Sequence, residues 1–176
     1  MVELGTFGGL RMTAKPAALW GSLVLWAIFT LIGLVLLNFS LGTALFGGLI
    51  AVVLHWMSEI IHCFGHAVFA RQTGYPMSGI RIGAYGVLAT TIYPSNEPPL
   101  PDAIHLQRAL GGPFISLQLS LLGGLVFFIQ SQGEHGLAWW LSLFFFLENL
   151  LVYTAQAAIP LGFNDGATIW RILRKK

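Results

Sequence analysis

The sequence predicts an all-α polytopic membrane protein with four transmembrane helices and a small membrane-surface β-hairpin between the second and third. Three observations carry this prediction. Of the 176 residues, 56% are hydrophobic and only 9% charged, a balance that a soluble domain of this size cannot hide in one core. The apolar residues fall in four long runs, each near or above the roughly 20 residues that a helix needs to cross about 30 Å of hydrocarbon. All nine basic residues fall on one side of the membrane that those runs define.

The spans read as about Leu19 to Leu37, Leu45 to Ala70, Phe114 to Ile129 and Leu137 to Ile159. The first is too long for the apolar core of a signal peptide, and no small-residue cleavage site follows it, so it is read as a retained span. With four spans, Arg11, Lys15, Arg71, Arg81, Arg108, Arg171, Arg174, Lys175 and Lys176 share one face, while the loops Asn38 to Thr43 and Gln130 to Gly136 carry no Lys or Arg. Basic residues accumulate on the cytoplasmic side, so both termini are expected there. The tail Arg171 to Lys176 is expected to meet anionic lipid headgroups, not nucleic acid. The single cysteine, Cys63, excludes a disulfide within the chain.

The second span carries polar residues that a lipid-facing helix would not. His55, Glu59, His62 and His66 follow i, i+4, i+7, i+11 and lie within about 60° of one another at 100° per residue. Ionisable groups are costly in the bilayer core and mark metal, proton or packing roles on an interior face. Histidines four apart project from one face, so His62 and His66 are placed to share a zinc ion, and the distant Asp165-Gly166 pair offers a third ligand. Counted from the outer face, Glu148 in the fourth span lies at about the depth of His55, which predicts an interhelical hydrogen bond between them.

Between the second and third spans, Met77 to Ile82 and Val87 to Tyr93 alternate small or polar with branched and aromatic residues around Gly83 and Gly86. This reads as a β-hairpin over about residues 77–93, whose edge either aligns an extended peptide by strand addition or merely caps the bundle. Pro94, Pro98, Pro99 and Pro101 then break regular structure, and Asp102 is expected to N-cap a short helix through Leu110. The whole chain, 1–176, reads as one domain.

In order and topology these pieces resemble the site-2 protease family of intramembrane zinc metalloproteases. His62-Cys63-Phe64-Gly65-His66-Ala67, followed by Ala70, Gly74 and Pro76, matches the family's His-Glu-x-Gly-His region. Gly112-Pro113 matches its Gly-Pro, and Pro160 to Asp165-Gly166 its Pro-x-x-x-x-Asp-Gly. The resemblance covers nearly the whole chain. It implies zinc held by His62, His66 and Asp165, and a bacterial inner membrane or an equivalent as the setting.

Three departures qualify what it implies for activity. Cys63 stands where the family carries the glutamate that acts as general base on metal-bound water, and a thiol is a poor substitute. Next in sequence to His62, it points about 100° away, so loss of the base is favoured over thiolate ligation. Glu59, about 4.5 Å up the axis from His62, is a candidate replacement base or an acceptor for the outer nitrogen of a zinc-bound histidine. Ser116 replaces an asparagine expected to contact substrate or a developing oxyanion, and Asn164-Asp165-Gly166-Ala167 replaces Leu-Asp-Gly-Gly. The expectation is a catalytically impaired relative that keeps the zinc-ligand set and serves as a binding or structural subunit in the membrane. Its partners would be lipids, a transmembrane helix of a substrate or partner protein, and the other subunits of a membrane complex. The alternative is an active endopeptidase that cleaves membrane-embedded peptide bonds with Glu59 or another group as base. A proton pathway along the polar stripe has no support beyond the stripe itself.

Overall fold

A computed structural model describes residues 1–133 and 135–175; Lys176, the last of the predicted basic tail, and Glu134, in the predicted outward loop, lie outside the described residues. Among the described residues, four helical segments are long and apolar enough to cross a membrane: Ala17–Val35, Leu41–Gln72, Asp102–Gln130 and Leu137–Ala158. The first three are α1, α2 and α3. The fourth begins as an α-helix, α4 (Leu137–Leu147), widens to a π-helix over Glu148–Thr154 and tightens to a 3-10 turn over Ala155–Ala158. A final amphipathic helix, α5 (Asp165–Leu173), turns Gly166, Ile169 and Ile172 inward.

Helix α1 shows lipid most of its surface, including Leu19, Trp20, Val24 and Leu31, and buries only Gly21, Thr30 and Gly33. Those small residues let α2 approach closely, as bundles in lipid require: Gly33 sits against Ala44, and Gly48 against Thr30. Helix α2 starts where the Ser40 hydroxyl accepts from the Thr43 amide at 3.3 Å. It buries one stripe from Ala44 through Ala51, His55, Ser58, His62 and Gly65 to Ala70. It ends at Thr73, after which Gly74 takes φ +79.

Three expectations need correction. Residues 102–110 and the third span are one continuous helix, α3, with Pro113 inside it. Proline removes an amide and usually bends a helix, but α3 runs on through Pro113 to Gln130. Asp102 is the first helical residue and not the cap; Pro101 holds that position without a side-chain bond. The β structure is also larger than one hairpin. An N-terminal hairpin, β1 (Val2–Phe7) and β2 (Leu10–Ala14), joins the predicted strands β3 (Gly79–Ile82) and β4 (Thr90–Ile92) in a sheet of order β1-β2-β3-β4. β1 and β2 turn at Gly8 and Gly9, both at positive φ, while β2 and β3 pair in parallel, Arg11 opposite Gly79 and Ala14 opposite Ile82. Parallel pairing needs a long crossover, and here the crossover is the α1–α2 membrane hairpin itself.

One face of this sheet packs on the end of α2. Leu10, Met12, Met77 and Ile80 cluster with Cys63 and Ala70, flanked by Ile60, Phe64 and Ala67. The sheet thus covers the part of α2 that α1 does not reach. The segment 83–89, which joins β3 to β4, tucks between α1 and α2. Gly83, at φ +72, lies against Ala18, and the Gly86 carbonyl lies against Gly21, where any side chain would collide.

Candidate metal centre

The closest approach of α2 and α3 positions two histidines. A Cβ on Gly65 would strike the Gly111 carbonyl, and one on Gly111 the Gly65 carbonyl, so the backbones meet there with no side chain between them. One residue further along each helix stand His66 and Gly112. A Cβ on Gly112 would meet the Nε2 atoms of both His62 and His66. The glycine therefore opens the space into which the two imidazoles point.

Each ring is held from behind by its Nδ1. His66 Nδ1 lies 2.7 Å from the Arg108 carbonyl, which only accepts; Nδ1 carries the proton and Nε2 presents a lone pair. His62 Nδ1 lies 2.9 Å from the hydroxyl of fully buried Ser116. Such partners fix ring orientation and tautomer in metal sites. The Arg108 side chain, itself buried, donates to both carboxylate oxygens of Glu97 and to the Tyr75 carbonyl, and it sits 4.2 Å over the Tyr93 ring. Those hydrogen bonds hold Glu97 below its ordinary carboxylate value, and burial pushes the Tyr93 phenol up to about 12.

The third side chain arrives from the far end of the sequence. Asn164 caps α5 by accepting from the Ala167 and Leu161 amides, both at 3.0 Å, and donates to the carbonyls of Gln156 and Ile159. Gly166 fits against the same two carbonyls, where a Cβ would clash. This knot presents Asp165, whose Oδ2 lies 3.2 Å from His62 Nε2 and whose Oδ1 lies 3.3 Å from His66 Nε2. Gln156 donates to Oδ2 at 2.9 Å.

His62, His66 and Asp165 thus form a group whose ligand atoms lie within 4.8 Å of one another. The two Nε2 atoms are 3.1 Å apart. Atoms bound about 2.0–2.1 Å from a tetrahedral zinc lie about 3.3 Å from each other, so the spacing observed, 3.1 to 3.3 Å, fits such an ion. The chemistry fits as well, because converging lone pairs and a carboxylate repel unless a cation lies among them. Zinc held there would act as a Lewis acid toward a bound water or carbonyl.

The remaining candidate residues fall elsewhere. Cys63 packs in the apolar cluster under the sheet, borders the site cavity, and is not one of the converging ligands. Ser116 is spent on the His62 ring, behind the metal side, and does not border the cavity. Glu59 does not support a histidine: the outer nitrogens are taken by Ser116 and Arg108, and Glu59 accepts from the Ala89 amide at 3.0 Å. It does line the same cavity, of about 330 Å³, together with His62, His66, Asp165 and the backbone stretch Leu88 to Thr91.

A second polar knot lies further along α2. His55 Nδ1 is 2.7 Å from Glu148 Oε1, as the depth estimate predicts, and 3.2 Å from the Tyr153 hydroxyl. Residues five apart on an α-helix point about 140° from each other; the π-helix brings Glu148 and Tyr153 to one side. Asn149, on the same stretch, donates to Ser58 at 2.9 Å. Sequence reasoning missed Tyr153, Gln156, Arg108 and Gly112. Only Gly112, inside the Gly-Pro pair, carried a signal that marked its neighbourhood.

Fold and site together define an integral membrane protein with a site-2-protease-like fold. Its structure is similar to that of the site-2 protease from Methanocaldococcus jannaschii, with a TM-score of 0.65 and 21% sequence identity over 99% of this chain and 72% of that one. The sequence matches no protein-family model and no curated protein.

Proposed function

We propose that this protein is a catalytically impaired relative of site-2 proteases that keeps the zinc-ligand set and works as a binding or structural subunit, engaging a transmembrane segment of a partner protein. The supporting observation is how the carboxylates of the cavity are used. Asp165 is committed to the two histidines, Glu59 is tied to the Ala89 amide, and the position between the histidine ligands holds a thiol packed in an apolar cluster. Peptide hydrolysis needs a base free to take a proton from metal-bound water and pass it to the leaving amine. No such group stands free here among the described residues. Fold and activity separate in this reading, with both termini on the cytoplasmic side.

A second reading, an active endopeptidase with Glu59 as base, draws on the fact that Glu59 borders the same cavity as the ligands. Two measurements separate them. Purified protein is expected to hold about one zinc per chain, lost in His62→Ala, and to leave a membrane-embedded reporter intact. Cys63→Glu is expected to gain cleavage. Reporter cleavage by the wild type that Glu59→Gln abolishes would establish the second reading, and zinc retained in His62→Ala would remove the ligand set.

A further inference from the structure

The face of the sheet turned away from α2 gathers charge of one sign. Leu10 and Met12 point into the core cluster, so Arg11, Thr13 and Lys15 point the other way, by the alternation of a strand. Parallel pairing puts Arg81 beside Thr13, and the Lys15 amide continues that ladder by donating to the Ile82 carbonyl at 3.0 Å. Residues paired in register share a face, which sets Arg81 on the outer side, diagonal to Lys15. The acid of that face, Glu3, pairs with Thr13 from β1 and is taken by Arg11 through bonds of 2.8 and 3.2 Å.

Lys15 and Arg81 have no such partner. Among the described residues neither side chain makes a hydrogen bond or an ion pair, and the remaining carboxylates are engaged elsewhere. Glu97 is held by Arg108, Asp102 by Lys175, Glu148 by His55, Asp165 by the two converging histidines and Glu59 by the Ala89 amide. Lys15 and Arg81 are half-buried, whereas Arg71, Arg171 and Arg174 are exposed, where water can solvate their charge. The Arg81 Nε is shut off from water and donates to nothing. Burying part of a guanidinium without an acceptor is costly, and like charges on neighbouring strands add to that cost. An anion held between the two cations removes both penalties.

Their place in the fold decides which anion. Lys15 is followed by Pro16 and then by α1, whose Leu19 and Trp20 are exposed. With α1 as a membrane span, the two cations stand at its entry to hydrocarbon, at the depth of phospholipid headgroups. An arginine fork and a lysine ammonium together suit a phosphodiester, the first by parallel hydrogen bonds and the second as a point charge. A zwitterionic headgroup would bring a cation of its own toward the pair; an anionic one does not. We propose that Lys15 and Arg81 form a binding site for the phosphate of an anionic glycerophospholipid, which clamps the junction of β2 and β3 to the membrane surface. The site lies apart from the metal centre, and the inference does not depend on the function proposed above.

The test uses the full chain in uncharged detergent micelles doped with equal amounts of dioleoylphosphatidylglycerol and dioleoylphosphatidylcholine, with bound lipid counted by native mass spectrometry. The wild type is expected to keep about one phosphatidylglycerol per chain in preference to phosphatidylcholine. Arg81→Gln and Lys15→Gln are each expected to lower that retention about fivefold, the effect of one basic residue near a charged membrane surface. The double change Arg174→Gln with Lys175→Gln, in the C-terminal tail, is expected to leave it within about twofold. No preference in the wild type, equal retention by Arg81→Gln and Lys15→Gln, or a loss confined to the tail variant would each overturn the site. Displacement of the lipid by excess inorganic phosphate would overturn the headgroup as occupant in favour of a free anion. Melting of the wild type serves where a variant does not fold: phosphatidylglycerol is expected to raise the melting temperature and phosphatidylcholine to leave it unchanged, and equal effects of the two lipids count against the proposal.

Discussion

Gly112 and Ser116 shape the candidate metal centre without offering a ligand to it. A methyl at Gly112 would press on the Nε2 atoms of both histidines, so Gly112→Ala is expected to weaken zinc binding by about 100-fold in a chelator competition, at the upper end of what outer partners control. Ser116→Ala removes the hydroxyl 2.9 Å behind His62 and is expected to cost about tenfold in the same titration, because the ring keeps its position but loses its partner. The convergence of His62, His66 and Asp165 was legible: histidines four apart in an apolar run and a distant Asp-Gly are patterns of residue type. Their supports were not. A backbone carbonyl such as that of Arg108 leaves no mark in sequence, and Gln156 or Tyr153 becomes relevant only once the chain has turned at Asn164 or widened at Glu148.

At the scale of elements, the four membrane segments could be read because hydrocarbon imposes a length and a composition on each. The irregularities could not. Pro113 reads as a boundary, yet α3 runs through it, since helices packed in lipid can re-satisfy a freed backbone group with neighbouring side chains. The π-helix follows from tertiary demand and has no local sequence signature. Its contribution can be measured. Glu148→Ala, which strands His55 in a buried position, is expected to destabilise by about 3–5 kcal/mol. Tyr153→Phe, which removes one neutral hydrogen bond, is expected to cost about 1 kcal/mol. Reversible unfolding in mixed micelles would rank the two, and a Glu148→Ala loss no larger than that of Tyr153→Phe would count against the buried pair. The N-terminal hairpin escaped notice because its reason for existing, parallel pairing with β3, spans two membrane helices, and because Gly5 and the irregular register after Glu3 interrupt the alternation of β1.

For the whole molecule, zinc is expected to act as a staple between α2 and the C-terminal helix α5. His62 and His66 belong to α2, Asp165 to the first turn of α5, and an ion bound only in the folded state adds stability that grows with its concentration, about 4 kcal/mol at a thousand times the dissociation constant. Stripping the metal should lower the melting temperature in wild type and leave it unchanged in Asp165→Ala; equal shifts in both would show that the stabilising ion sits elsewhere. The C-terminal segment is tied down again where Lys175 contacts Asp102 of α3 at 2.9 Å, but that exposed pair contributes little by comparison.

The brevity of α1 sets where this centre lies. Nineteen residues make a rod of about 28 Å, close to the full hydrocarbon thickness. The bond from Trp56 to Ser22, 2.9 Å long, fixes its register, so that α1 begins about level with Ile61. His62 and His66 come just below that level, beside a sheet whose outer surface bears Glu3 and Arg11. If α1 spans the hydrocarbon from end to end, the three converging side chains are expected nearer its edge than its midplane, and water or a visiting segment would reach them from the sheet end of α2.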